Sequence, residues 1–198
     1  MKRALDILLS LLALAVLGLP MLLIALAVRL GSRGPALFRQ RRAGWRGRPF
    51  TMLKFRTMRV DTDPFGDSPH AAADARLTRL GKRLREWSLD ELPQLLNVLA
   101  GQMSLVGPRP LYERQAAAWT DRQRSRLEVR PGLTGYAQVR GRGALALEDK
   151  IELDLSYVEH QSLWFDIKIL LQTLAVPCGS RETYERRYSR DKERESDK

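Results

Sequence analysis

Residues 7–28 read ILLSLLALAVLGLPMLLIALAV, 22 positions without a charge, and this run decides how the rest of the chain must be arranged. As a helix it measures about 33 Å, at roughly 1.5 Å per residue, enough for a hydrocarbon core of about 30 Å. It is too long for the apolar region of a cleaved leader, and no small-residue cleavage site followed by exportable sequence comes after it. Arg29, Arg33, Arg39, Arg41 and Arg42 follow instead, and such clusters stay on the cytoplasmic side. Lys2 and Arg3 stand on the other flank. With both flanks basic, a simple span places one of them on the wrong side, whereas a hairpin that enters one leaflet and returns does not. Gly18-Leu19-Pro20 offers the break, because proline removes a backbone donor and clashes with the carbonyl four residues back. The arms on either side, residues 7–17 and 21–28, reach only about 12–17 Å each, roughly half the core. The expectation is a re-entrant helix–break–helix over residues 1–30. A kinked spanning helix stays open as the alternative, since membrane helices tolerate proline.

The remainder, residues 31–178, is long enough for one domain. The 198-residue chain carries 34 Lys+Arg against 23 Asp+Glu, a net charge of +11. Nine of those bases, and no acid, lie in residues 31–60. Such a block calls for a polyanion: nucleic acid, anionic lipid or a phosphorylated substrate. One cysteine, Cys178, excludes an internal disulfide, and with only His70 and His160 beside it a zinc site is not expected. Chemistry therefore falls to carboxylates, hydroxyls and basic groups. Residues 179–198 form a charged tail with almost no apolar residues.

Strand-like segments at Ala36–Arg42 and Phe50–Thr57 flank a Gly/Trp/Arg turn and predict a hairpin. A helix is expected from about Asp74 to Trp87, with Leu77, Leu80, Leu84 and Trp87 on one face and arginines on the others. Such a helix lies in a membrane interface or packs on the domain core, and the pattern does not choose. Further helices are expected near Leu89–Gln94, Tyr112–Leu127, Leu147–His160 and Ser162–Val176. Trp45, Trp87, Trp119 and Trp164 read as interface or core anchors.

Ser88-Leu89-Asp90-Glu91-Leu92-Pro93-Gln94 carries the chemistry. One reading is a capping box, with Ser88 as N-cap and Glu91 three residues on. The other is a reactive dyad. A carboxylate kept ionised among arginines can attack phosphorus and form an acyl phosphate, and a second carboxylate beside it can help to hold Mg²⁺, a hard cation that prefers oxygen.

Five blocks together carry a resemblance: Gly34–Gln40 (GPALFRQ), Pro49–Met58 (PFTMLKFRTM), Ser88–Asn97, Met103–Pro110 (MSLVGPRP) and Arg130–Val139 (RPGLTGYAQV). Their order and spacing resemble the bacterial sugar transferases, the monotopic phosphoglycosyl transferases in their minimal catalytic form. The resemblance covers residues 2–176. It implies transfer of a sugar 1-phosphate from a UDP-sugar to polyprenol (undecaprenyl) phosphate, with release of UMP, as the first membrane-committed step of glycan assembly. It makes Asp90 the nucleophile of a ping-pong cycle and Glu91 its partner, with both as Mg²⁺ ligands. It assigns Arg85 to the polyprenol phosphate, Lys54, Arg56 and Arg109 to phosphate contacts, and Arg130 with the loop after it to the substrate side.

Each of these positions has a plainer reading. Lys54 and Arg56 alternate on a strand and suit a solvated face, Arg85 is one of several interfacial arginines, and Arg109 has Glu113 within pairing range. At the membrane break the family often has Ser-Pro where this chain has Leu19-Pro20, so the hydroxyl that would satisfy a freed carbonyl is missing. The implied fold is α+β and mostly helical: a re-entrant membrane helix, a small β-hairpin, and amphipathic interfacial helices around a carboxylate dyad. The implied setting is the cytoplasmic face of a bacterial inner membrane, in contact with phospholipids and without nucleic acid. Homo-oligomer formation is left open. The rival from another class is a membrane-anchored basic interaction or nucleic-acid-binding protein, which leaves the Asp-Glu block unused. A rival among enzymes is a ternary transferase in which Asp90 serves only as a base.

Overall fold

The computed structural model describes residues 1–62, 74–117 and 119–175. His70, Cys178 and the charged tail lie outside them. The apolar run forms one helix, α1 (Lys2–Gly31), with Pro20 inside it. Gly18-Leu19-Pro20 does not end the element: the helix continues through it. A proline withholds one N–H and frees one carbonyl, and in a helix of some 45 Å that loss does not end the element. Leu8, Leu12, Val16, Leu19, Leu23 and Leu26 are all exposed on one flank, and only 6% of the most apolar 18-residue window is buried in the protein. A soluble core helix would be covered.

Both ends of α1 are nevertheless fastened to the same domain. At the start, Lys2 Nζ donates to Asp166 Oδ2 at 2.7 Å and to the Val106 carbonyl at 3.0 Å, and Arg3 donates to the carbonyls of Val98 and Leu99. Asp6, buried, accepts from Ser104 Oγ and from the Leu105 amide. At the far end, Val28 packs with Phe55 and Leu84. Burial of three such side chains contributes roughly 1.5–3 kcal/mol each.

The hairpin forms where the sequence placed it. Strands β1 (Leu37–Ala43) and β2 (Pro49–Phe55) pair antiparallel from Leu37↔Phe55 to Ala43↔Pro49. A short 3₁₀ turn at Trp45–Gly47 joins them. Helix α2 (Arg79–Glu86) starts later than expected, because Thr78 caps it by accepting from the Gly81 amide at 2.9 Å. Its apolar face meets the domain: Leu84 is buried and Leu80 packs beside it, while Trp87 stays 59% exposed. Core packing thus describes this helix, with one aromatic left at the surface. Gly81 lets α2 touch the end of the hairpin, since a Cβ there would stand 2.0 Å from the Thr57 carbonyl oxygen.

Beyond the carboxylates come α3 (Gln94–Leu99) and strand β3 (Ser104–Val106). The helix expected over 112–127 is two short ones, α4 (Glu113–Ala117) and α5 (Asp121–Arg124). Thr120 and Gln123 form a capping box that starts the second of them afresh. Strand β4 (Gly132–Thr134) pairs parallel with β3, a sheet the sequence reading did not contain. The last elements are α6 (Tyr136–Arg140), α7 (Leu147–Glu159) and α8 (Leu163–Ala175), the last two within a residue of expectation. Val106, Tyr157 and Ile169 bury the junction of β3, α7 and α8. The described fold is therefore mostly helical, with two two-stranded sheets.

Candidate active site

Ser88 decides how the two carboxylates are presented. Its φ of 55° and ψ of 18° are left-handed, and its side chain caps nothing. An N-cap needs extended backbone for its hydroxyl to fold back onto the first turn, so the capping-box reading does not hold. The chain instead swings from the end of α2 through a single 3₁₀ turn, Leu89–Glu91, and Pro93 opens α3 without needing an N–H. Left-handed non-glycine backbone is costly and gathers at functional sites.

The adjacent carboxylates are treated differently. Glu91 Oε1 accepts from Lys54 Nζ at 2.7 Å and from Arg109 Nη2 at 2.8 Å, and its Oε2 accepts from Arg109 Nη1 at 3.5 Å. Burial raises the Glu91 pKa, but Arg109 and Lys54 outweigh it and hold the carboxyl well below its usual range. Asp90, 6% exposed, makes no side-chain hydrogen bond or ion pair among the described residues. Burial pushes it above its ordinary value, against the fields of Lys54, Arg85 and Arg109 and with the help of Glu91's charge. Burial also lowers Lys54, more than the neighbouring carboxylates restore. Two titratable groups whose surroundings drive them apart are the usual sign of divided labour.

Lys54 is aligned from behind. The Leu53 amide donates to Asn97 Oδ1 at 3.0 Å, and Asn97 Nδ2 returns to the Thr51 carbonyl at 2.8 Å. Asn97 thus ties α3 to the free side of β2. Arg85 is oriented by Thr57 Oγ1, which accepts from Nε at 2.9 Å. Arg109 sits between two prolines, and its carbonyl accepts from the buried Arg126 at 2.9 Å. The alternative partner Glu113 is taken by Arg41.

Lys54, Arg85, Asp90, Glu91 and Arg109 line one cavity of about 1150 Å³. Two assigned residues do not join them in the same way. Arg56 touches the cavity, but its guanidinium closes the end of α1, donating to the carbonyls of Val28, Ser32, Arg33 and Gly34. A buried guanidinium with several donors suits carbonyls left open past a helix end. Arg130 is absent from the cavity wall: it donates to the Gly101 carbonyl at 2.9 Å and stacks 4.4 Å above Trp45. The reading of Lys54 and Arg56 as a solvated face fails for both, since Lys54 is largely enclosed and Arg56 buried. Sequence reasoning missed Asn97, Thr57, Asp6, Asp166 and Tyr157. Asn97 alone gave a signal, as a polar residue inside an apolar helical run.

An oxygen-seeking cation fits this donor set. Asp90 is a buried carboxylate without a hydrogen-bond partner among the described residues, Glu91 keeps Oε2 only loosely held, and Mg²⁺ is commonly bound through one or two carboxylates with substrate oxygens completing its shell. No group of three or more His, Cys, Asp or Glu stands together among the described residues, so a cage made only of protein does not exist there.

Known proteins place the chain independently. The family described as bacterial sugar transferase matches residues 1–179. The chain is 44% identical over 174 residues to "Uncharacterized sugar transferase EpsL" of Bacillus subtilis, covering 88% of this chain and 85% of that protein. It is 46% identical over 181 residues to a "UDP-glucose:undecaprenyl-phosphate glucose-1-phosphate transferase" of Caulobacter vibrioides, covering 87% and 68%. A protein of the same name from Escherichia coli is 43% identical over 186 residues, covering 88% of this chain and 39% of the longer relative. A match over residues 1–179, nearly the whole chain, shows that the protein belongs to the bacterial sugar transferase family.

Proposed function

We propose that this protein transfers a sugar 1-phosphate from a UDP-sugar to undecaprenyl phosphate and releases UMP, the opening step of a membrane-linked glycan or polysaccharide. The observation that carries the reading is the partnerless, buried Asp90 beside a Glu91 neutralised by Lys54 and Arg109, in a chain similar over most of its length to proteins named for that transfer.

In the first half-reaction a carboxylate oxygen of Asp90 attacks the phosphorus that bears the sugar. The bond from that phosphorus to the bridging oxygen breaks, and UMP leaves with the bridging oxygen and its electron pair. Lys54, Arg85 and Arg109 offset the repulsion between the anionic nucleophile and the diphosphate. In the second half-reaction a phosphate oxygen of the lipid attacks the same phosphorus, the Oδ–P bond of the Asp90 acyl phosphate breaks, and the carboxylate leaves with the electron pair. Covalent capture divides the transfer, so that donor and lipid need not be held together. Asp90 and Glu91 would hold Mg²⁺, which when bound supplies positive charge to the diphosphate oxygens and the leaving nucleotide.

The same reading places α1 as a re-entrant anchor, bent at Pro20 without ending there, with the domain on the cytoplasmic face. Its support is that both ends of α1 bond one folded domain. A helix crossing the bilayer would carry its ends to opposite sides. The test of the chemistry is intact-mass spectrometry after incubation with donor alone. Addition of one hexose phosphate, lost in Asp90→Asn, is expected. Full product yield with no adduct under any quench would leave Asp90 as a base in a ternary complex.

A further inference from the structure

Three side chains on the wall of the cavity away from α1 and α2 carry buried polar atoms that nothing answers. Among the described residues, both carboxamide atoms of Gln138, Oδ1 of Asp154, and Nε and Nη1 of Arg126 are buried without a hydrogen-bond partner. Gln138 lies on α6, Asp154 on α7 and Arg126 in the 3₁₀ turn before β4. All three line the cavity that holds Asp90. Arg126 and Asp154 already form an ion pair through Nη2 and Oδ2, and Nη2 also reaches the Arg109 carbonyl. Their remaining atoms are therefore fixed in place by bonds they have already made. Buried polar groups in proteins are nearly always paired, and a cluster that is not calls for an explanation.

We propose that Gln138, Asp154 and Arg126 form the subsite that reads the hydroxyl groups of the donor's sugar, and so determine which sugar is transferred. The proposal rests on the reading of this cavity as a UDP-sugar site. The diphosphate is better served by the bases around Asp90 than by this wall, where the charge of Arg126 is already taken by Asp154. The choice between sugar and base follows from counting donors and acceptors. The unpaired atoms comprise two acceptors, Gln138 Oε1 and Asp154 Oδ1, and three nitrogens that donate. A uracil ring offers one N–H and leaves one of the two acceptors unanswered, and the ribose adds only two hydroxyls, too few for all five atoms. Each hydroxyl of a hexose both donates and accepts, and a run of them answers the whole set. Burial pushes Asp154 up to about 6 against the pull of Arg126, as befits a carboxyl short of donors.

The experiment uses the full-length protein with polyprenol phosphate and Mg²⁺, and follows UMP release from UDP-glucose and UDP-galactose, which differ at one hydroxyl. UDP, which lacks the sugar, serves as a competitive inhibitor. Gln138→Met is expected to lower kcat/KM for the preferred donor by about tenfold or more and to erode the preference between the two hexoses, with the inhibition constant for UDP unchanged. Retained UDP inhibition also reports that the variant is folded, and Asp154→Asn is the second variant, read the same way. Equal weakening of UDP inhibition, in variants that melt like the wild type, would assign the subsite to the base and overturn the proposal. An unchanged hexose preference in both variants would overturn it too. Absence of UMP release by the wild type from every UDP-hexose would defeat the donor reading itself, whatever the variants do.

Discussion

Lys54 donates to Glu91 Oε1 at 2.7 Å and makes no hydrogen bond to Asp90, the neighbouring carboxylate, among the described residues. One carboxylate of the dyad is thereby held ionised and quiet, while the other is kept desolvated and open. A desolvated carboxylate is a stronger nucleophile than a solvated one only if nearby positive charge keeps it ionised, and Lys54, Arg85 and Arg109 supply that charge without touching it. The asymmetry makes separate predictions for each partner.

Lys54→Met removes one of the influences that lower the Asp90 pKa. On the proposed mechanism Asp90 must be ionised to attack, so donor-dependent UMP release should fall as the pH drops through the folded-state value of Asp90, which lies above the ordinary 3.8. In the variant that acid limb moves to higher pH, and activity near neutrality falls by about 100-fold as phosphate stabilisation is lost. A pH–rate profile with an unmoved acid limb would show that Lys54 acts on Asp90 only through the substrate.

Glu91→Gln leaves Lys54 and Arg109 facing a neutral amide, with a loss of about 3 kcal/mol expected for breaking a largely buried ionic cluster. The pH dependence separates charge from shape. Glu91 is held below its usual value, so it contributes stability that is present above an unfolded-state value near 4.5 and is lost as the pH falls. Wild-type melting temperature should drop on acidification below that value, and the variant should lack this component. Activity of the variant should depend less on Mg²⁺ concentration, checked by titrating the metal in the UMP-release assay.

The hairpin, α7 and α8 were legible because each rests on a local pattern: alternation around a turn, or apolar spacing between caps. The dyad was legible because Asp90 and Glu91 are adjacent, so no tertiary contact is needed to bring them together. What the guanidinium groups of Arg56 and Arg130 hold was not legible, for the opposite reason. A motif identifies an arginine as important without saying whether its guanidinium faces a substrate or the open carbonyls of a helix end, and only the packing of α1 against β2 decides that for Arg56. The β3–β4 pairing was invisible for a related reason: two three-residue strands separated by 25 residues leave no periodicity to read. The ties from Lys2 and Asp6 to α8 and β3 join residues about a hundred or more apart in sequence, and a charge before an apolar run reads only as a flank.

Arg56→Met tests the reassignment of that residue. Its guanidinium closes four carbonyls, one in the last turn of α1 and three just beyond it, so its loss should destabilise the protein by about 2–4 kcal/mol. KM for the donor, measured on the folded fraction, should change less than threefold. A phosphate-binding role would give the reverse: near-normal melting and a much higher KM.

The placement of α1 leads to a labelling prediction. Residues 2–6 bond β3, α3 and α8, and residues 28–34 bond Arg56, the residue just past β2, so the two ends belong to one face of the membrane if the domain stays folded. With Cys178→Ser removing the native thiol, single cysteines at Ala4 and Arg33, both exposed, should react with an impermeant maleimide from the same side. In intact cells both should be protected, and in inverted vesicles both should be labelled. Labelling of Ala4→Cys in intact cells with Arg33→Cys protected would require α1 to cross the bilayer, and the bonds of Lys2, Arg3 and Asp6 to the domain could not then exist in the membrane-bound protein.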